Sequence, residues 1–152
     1  MVYSVGWSKR SAFVKAKELC HRSSPTSIFY FEILKSTGDD DDWQSARDII
    51  EEFYEFCRDN AKHFAIIMDA SKLVYVDAMN GIRWVALFVK HKETTRQLLA
   101  CTCLVTTSEY AKRGIDYFLT LYDPIKPFRV VSNSKVAKEI VERTVSLPRP
   151  IH

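Results

Sequence analysis

Glycine and cysteine are both scarce in this sequence, which has four of each among its 152 residues. Phosphate-binding loops depend on clustered glycines, so a site of that kind is nearly excluded. Four cysteines in a chain of this length are too few for a disulfide scaffold. We predict that the cysteines are reduced core residues: Cys20, Cys57, Cys101 and Cys103. Because Cys101 and Cys103 also lack the spacing of zinc ligands, we expect no metal and no cofactor.

Long hydrophobic runs are absent as well. The longest, residues 84–89, falls far short of the roughly 20 apolar residues that span a bilayer, and the first ten residues lack the features of a secretory signal. We therefore expect a cytoplasmic protein without a membrane span. The composition, 47% hydrophobic and 27% charged, is typical of one folded domain. We place that domain over residues 1–152, with a flexible tail at 146–152.

The charges are distributed unevenly along the chain. Residues 38–60 hold nine acids and two arginines, whereas residues 1–37 hold six basic residues and two acids, and residues 61–152 hold fourteen and eight. A polarised surface of this kind can orient a partner. The basic residues are interleaved with acids and no recognition motif accompanies them, so we do not expect a nucleic-acid partner.

Apolar patterning predicts alternating strands and helices from residue 26 onward. Residues 64–68 and 98–105 are apolar runs of strand length, which is typical of strands buried on both faces, and amphipathic spacing predicts helices around them. The predicted order is strand 26–34, helix 43–60, strand 64–68, helix 77–89, strand 98–105, helix 108–122, strand 128–131, and a last helix capped by Ser132 or Ser134. This alternation predicts an α/β fold with a mixed, mostly parallel sheet of four to six strands.

The first 25 residues have a weaker pattern. Residues 2–7 suit an edge strand, and residues 12–20 suit either an alternating strand or a short helix. We favour one or two N-terminal strands at the edge of the sheet. An aspartate from the acidic run at 39–42 is expected to cap the helix that follows it.

The segment 64–88, FAIIMDASKLVYVDAMNGIRWVALF, resembles the central signature of STAS domains, the family of bacterial anti-sigma-factor antagonists and sulfate-transporter tails. In that family a buried strand ends in Asp, and a second Asp begins a helix that has a Gly nearby, as Asp69, Asp77 and Gly81 do here. The resemblance implies an STAS-like fold and a protein-interaction module with a regulatory or scaffolding role. Phosphorylatable members have Ser after the second Asp. Since this sequence has Ala78 there, we do not expect a phosphate-controlled switch.

No catalytic constellation accompanies the two aspartates. Asp69 and Asp77 suit the capping of a turn and of a helix, and the acidic run at 39–42 lacks the spaced ligands of a calcium loop. The histidines are scattered along the chain: His21, His63, His91 and His152. An active site needs acid, base or nucleophile groups that converge, so we expect that the protein is not an enzyme.

The helix predicted over 77–89 has more apolar surface than one buried stripe requires. Its spacing places Met79, Ile82, Val85, Ala86 and Val89 inward, with Trp84, Leu87 and Phe88 widening the apolar surface. A helix packed between the sheet and a neighbouring element explains this breadth, and so does a face for a protein partner or for self-association. On the second hypothesis the partner-binding residues are Asp77, Met79, Asn80, Arg83, Trp84, Leu87 and Phe88.

Two other functions stay open at this point. One is a structural subunit of a larger assembly. The other is a carrier of a lipid or small ligand, because CRAL-TRIO lipid carriers have a similar strand–helix alternation. Those carriers usually have a longer chain with a helical region ahead of the sheet, and a closed lipid cavity takes up core volume that a domain of 152 residues can hardly spare.

Overall fold

The computed structural model describes residues 4–20, 26–75, 78–121, 124 and 126–146. Most of the tail expected at 146–152 therefore lies outside the described residues. The elements in chain order are β1 (Ser4–Arg10), β2 (Val14–Cys20), β3 (Ser27–Ile33), α1 (Asp40–Asp59), β4 (Phe64–Asp69), α2 (Ala78–Val89), α3 (Lys92–Leu98), β5 (Leu99–Val105), α4 (Glu109–Leu121), β6 (Phe128–Val131) and α5 (Ser134–Ser146). The predicted alternation is confirmed, and the short α3 is additional. Among the described helices, none is both long enough and apolar enough to cross a membrane.

The six strands form one sheet in the same order as in the chain, from β1 to β6. β1, β2 and β3 pair antiparallel, whereas β3, β4, β5 and β6 pair parallel. The mixed, mostly parallel sheet is thus confirmed. The N-terminal residues form two strands rather than a helix, because Val14, Ala16 and Glu18 alternate inward along β2.

Helices cover the two faces of the sheet unequally. Right-handed crossovers between neighbouring parallel strands place the connecting helices on one face. α1 and α2 accordingly pack with Phe29, Phe31 and Phe64, and α4 contacts α2. On the opposite face, α5 packs through Ala137 and Val141 against inward side chains of β4 and β5. We call these the four-helix face and the α5 face.

The ends of two helices test the predicted caps. The Asp39 carboxylate accepts a hydrogen bond from the backbone N–H of Asp42 at 2.8 Å, and the Asp42 carboxylate accepts one from the backbone N–H of Asp39 at 3.1 Å. This reciprocal pair confirms the cap at α1. At α5 the predicted serine cap is wrong, since the side-chain oxygen of Asn133 accepts the hydrogen bond from the backbone of Val136 at 2.8 Å. Asn is as good an acceptor at this position as Ser.

Candidate interaction surface

α2 buries its aromatic side chains against the core of the domain. The Trp84 ring stacks on Phe13 with ring centroids 5.3 Å apart, and it lies 5.1 Å from the ring of Trp43. Phe88 packs edge-on against Phe31, and Leu87 packs against the same core cluster. Three of the predicted partner-binding residues therefore have contacts within the domain, which leaves them only partly accessible.

The opposite side of α2 is apolar and exposed. Met79 is 64% exposed, Ile82 55% and Val89 40%, and Ala86 lies on the same side. These four residues, which we call the outer stripe, are spaced by three, four and three positions, so that they form one line along the helix. The prediction that they face inward is wrong. Both sides of α2 are apolar, and the side that carries the larger aromatic rings is the one that is buried.

Two further predicted residues, Asn80 and Arg83, contact neighbouring parts of the domain. The side-chain amide of Asn80 donates to the carbonyl oxygen of Ser36 at 3.3 Å, which ties the start of α2 to the loop after β3. The guanidinium of Arg83 is exposed and lies 5.4 Å from the centre of the Trp43 ring. Asp77 lies outside the described residues.

Other exposed apolar side chains lie on the segments that adjoin α2. Val74 and Tyr75 precede α2, and Tyr110 and Tyr117 are on α4, which contacts α2. The Ser108 hydroxyl donates to the carbonyl oxygen of Val74 at 2.8 Å, which joins the start of α4 to the segment before α2. We define the outer patch as these four residues together with Met79, Ile82 and Val89. The two tyrosines were not predicted from the sequence, although their spacing of seven residues places them on one side of a helix.

The charged residues of α2 and of its C-terminal end are positive. α2 contains Arg83 and no acid, and Lys90 follows it. Lys90 Nζ lies 2.9 Å from Glu51 Oε1 on α1, and His91 Nε2 lies 3.1 Å from the same oxygen. The hydrogen bond from Lys90 lowers the pKa of the Glu51 carboxyl below its ordinary value, and His91 adds to this effect.

Two buried carboxylates stabilise the fold. On β2, burial by itself would raise the pKa of Glu18. Hydrogen bonds from Lys62, from Ser27 at 2.7 Å and from the backbone of Trp7 outweigh burial and hold that pKa below the ordinary value. Asp69, at the end of β4, accepts from the Tyr30 hydroxyl and from the backbone N–H of Ser71. The prediction that Asp69 caps a turn after a strand is thus confirmed.

The described cysteine side chains are buried and free. Cys57, Cys101 and Cys103 have no disulfide partner, as predicted, while the side chain of Cys20 lies outside the described residues. Burial raises the pKa of the Cys57 thiol to about 12 and that of Cys101 to about 11. Such thiols carry almost no thiolate at neutral pH, so they are poor nucleophiles and poor metal ligands. Within the described ranges, no three potential ligand side chains gather around a common point.

The fold resembles that of a solved bacterial structure. The chain superposes on an uncharacterized DUF3478-family protein from Shewanella loihica PV-4, described as having a SpoIIAA-like fold, with a TM-score of 0.60 and 10% sequence identity. The match covers 90% of this chain and 99% of the Shewanella protein. Compared by sequence, the chain matches no family model and no curated protein. The architecture is therefore SpoIIAA-like, that is STAS-like, as the resemblance at 64–88 implies.

Proposed function

We propose that this protein is a non-enzymatic interaction module with a regulatory or scaffolding role, and that its partner docks on the outer patch. The observation that carries the proposal is the line formed by Met79, Ile82 and Val89, which leaves apolar side chains in water along three turns of α2. Exposed apolar side chains that are lined up on one surface often mark a site that a partner covers, whereas single scattered ones do not. A helix that is apolar on both sides is otherwise found inside a core.

The occupant that best complements the outer patch is a partner helix with an apolar stripe and acidic flanks. The three-four-three spacing of the outer stripe is the spacing with which one helix packs along another. Because α2 has Arg83 and no acid, an acidic flank on the partner gives charge complementarity. A second copy docking through its own α2 would instead bring like charges together. Since Ala78 carries no hydroxyl, docking here works without phosphate control of that position.

The absence of catalysis is part of the proposal and has its own support. The Glu18 carboxylate is held by Lys62 and Ser27, and the Asp69 carboxylate is held by Tyr30 and a backbone amide. Carboxylates with these partners stabilise the fold, and their lone pairs are not directed at a substrate. The three buried free thiols fit the reducing cytoplasm, where we place the protein.

A triple variant tests the docking surface. Met79→Ser, Ile82→Ser and Val89→Ser together remove the three large apolar side chains of the outer stripe and leave Trp84 and Phe88 in the core. We expect native circular dichroism, because the three side chains are exposed, and loss of partners in affinity capture from the native source. A protein that the unmodified chain captures and the triple variant does not is then purified, and its affinity for both chains is measured by calorimetry. The affinity should fall on the order of 100-fold, since each apolar anchor contributes about 1 kcal/mol or more.

Val136→Ser is the matched control, because Val136 is an exposed apolar residue on α5, away from the outer patch. Binding of the purified partner should also weaken as salt screens the acidic flanks. If the triple variant and the control bind the purified partner equally well, the outer patch is not the docking surface. A change in the oligomeric state of the triple variant, measured by light scattering, would instead identify a second copy as the occupant.

A further inference from the structure

A cavity of about 190 Å³ lies between α2, α4 and the strands β4, β5 and β6. Its walls are mostly apolar. Met68 and Leu104 form part of the floor on the sheet, Phe88 of α2 closes one side, and Ile115 and Leu119 of α4 close another. The cavity is on the inner side of α2, so it is separate from the outer patch and independent of the proposed docking function.

The width of this space follows from residue size on the four-helix face. Over β3, the rings of Phe29 and Phe31 meet Phe53 of α1 with centroids 4.8 and 5.0 Å apart, and they fill the gap between helix and sheet. Over β5, the side chains that face α2 and α4 are Thr102 and Leu104, which are shorter. The same layer of helices therefore leaves room above β5 that it does not leave above β3.

Two lysines supply most of the charge around the cavity. Lys92, at the start of α3, and Lys126, just before β6, both border it. In the part of the chain that the structure describes, neither ammonium group has an ion-pair partner. An apolar cavity with a few charged groups at its border is the usual form of a site for a small amphiphilic ligand. Unpaired cations select an anionic head group for that ligand.

We infer that this cavity binds a medium-chain carboxylate, with the hydrocarbon chain between α4 and the sheet and the carboxylate towards Lys92 and Lys126. The chain length follows from the volume. A cavity of roughly 150 Å³ accommodates benzene, with six carbons, so a cavity of about 190 Å³ accommodates about eight carbons in the same proportion. Octanoate is the corresponding probe.

Calorimetric titration with hexanoate, octanoate, decanoate, dodecanoate and 1-octanol tests the inference on the intact chain. Affinity should rise about fourfold per added methylene while the chain is being buried, and the gain should stop near eight carbons. The uncharged 1-octanol should bind about tenfold more weakly than octanoate, because it lacks the charge-assisted contact with lysine. Absence of binding heat with octanoate at about 1 mM would overturn the inference.

Two variants test separately how the cavity binds the hydrocarbon chain of the ligand and how it binds the carboxylate. Thr102→Phe places a ring in the cavity and should weaken octanoate at least tenfold. Lys92→Gln with Lys126→Gln should reduce octanoate to the affinity of 1-octanol, and this pair is decisive if Thr102→Phe fails to fold. The matched control is Lys15→Gln with Lys135→Gln, two exposed lysines away from the cavity. Octanoate affinity that is unchanged by the Lys92 and Lys126 substitutions contradicts the carboxylate assignment.

The outer-stripe variant distinguishes this inference from the proposed function. Met79→Ser, Ile82→Ser and Val89→Ser should bind octanoate as the unmodified chain does, because these residues do not line the cavity. Equally, the substitutions at Lys92 and Lys126 leave the outer stripe intact and should retain a partner that docks there. A loss of both activities in one well-folded variant would show that the two sites are not independent.

Discussion

The two faces of the sheet are packed by different means, and the difference lies in the size of their side chains. On the α5 face the buried residues are aliphatic side chains and thiols, with one ring, that of Tyr30, partly buried beside them: Leu19, Ile28, Ala65, Ile67, Cys101, Cys103 and Val105 from the strands and Ala137 and Val141 from α5. α5 consequently lies close to β4, β5 and β6. On the four-helix face, Phe29, Phe31, Phe53 and Phe64 separate the helices from the strands.

This comparison explains the cavity on the four-helix face. Aromatic rings hold the helices at a fixed distance from the sheet. Close packing then requires a large side chain at every sheet position beneath the helices. β3 meets that requirement with Phe29 and Phe31, whereas β5 presents Thr102 and Leu104. The α5 face does not require large side chains on the strands, because its smaller residues let α5 pack directly against them.

The largest effect is expected from removing a ring in the filled part of the four-helix face. Phe53 is fully buried among three other phenylalanine rings, so Phe53→Ala should lower the free energy of unfolding by about 3–5 kcal/mol. Leu119→Ala, beside the cavity, should cost only about 1–2 kcal/mol because Leu119 already borders open space. Urea unfolding of both variants measures the difference. Equal losses would mean that the space above β5 is as well filled as that above β3.

A smaller effect is expected from adding volume to each face. Ala137 of α5 is completely buried against the sheet, so Ala137→Leu should destabilise the fold by about 1–3 kcal/mol through overpacking. Thr102→Leu adds volume towards the cavity and should change stability by less than about 0.5 kcal/mol. Thermal and urea unfolding give both values. A tolerated Ala137→Leu would contradict the close approach of α5 to the sheet.

The smallest effect concerns the buried carboxylate of each face. Glu18, on the four-helix face, has a cationic partner in Lys62, whereas Asp69, on the α5 face, is held by a hydroxyl and an amide. Glu18→Gln should therefore cost about 1–2 kcal/mol at pH 7, and Asp69→Asn, which keeps an acceptor, about 1 kcal/mol or less.

The pH dependence of stability sharpens this last comparison. The folded pKa of Glu18 is lowered from its ordinary value of 4.5, so its stabilisation is present above pH 4.5 and is lost as the pH falls through the folded pKa. Urea unfolding at pH 7, 5 and 3 should show this loss in the unmodified chain and a flatter profile in Glu18→Gln. Identical profiles would mean that Glu18 does not govern acid sensitivity.

The strands and the cap of α1 could be predicted from the sequence. Residues 64–68 form a continuous apolar run, and a segment so short and apolar is buried on both faces in an α/β fold, as β4 is. Asp39 follows a turn and precedes the amphipathic spacing of α1, so its role as a cap was predictable. Glu18 was missed, although its alternation with Val14 and Ala16 along β2 placed it on the buried side.

The orientation of α2 and the presence of the cavity could not be predicted from the sequence. Periodicity identifies the buried side of a helix only when the other side is polar, and α2 has Met79 and Ile82 on one side and Trp84 and Phe88 on the other. The rings of Phe13 and Trp43, distant in the chain, decide which side is buried. A cavity likewise depends on the sizes of residues that only the folded chain brings together, such as Leu104 and Ile115.

The order of the strands bears on how the chain reaches this structure. Since β1 to β6 follow one another across the sheet as they do along the polypeptide, every strand pairs with its nearest predecessor and no pairing has to wait for a distant segment. Loop closure between the antiparallel strands β1, β2 and β3 has a small entropic cost, whereas each parallel pair is joined by a longer crossover that contains a helix and forms more slowly. The sheet can therefore grow by one strand at a time from the N-terminal hairpin, in the direction in which a ribosome releases it.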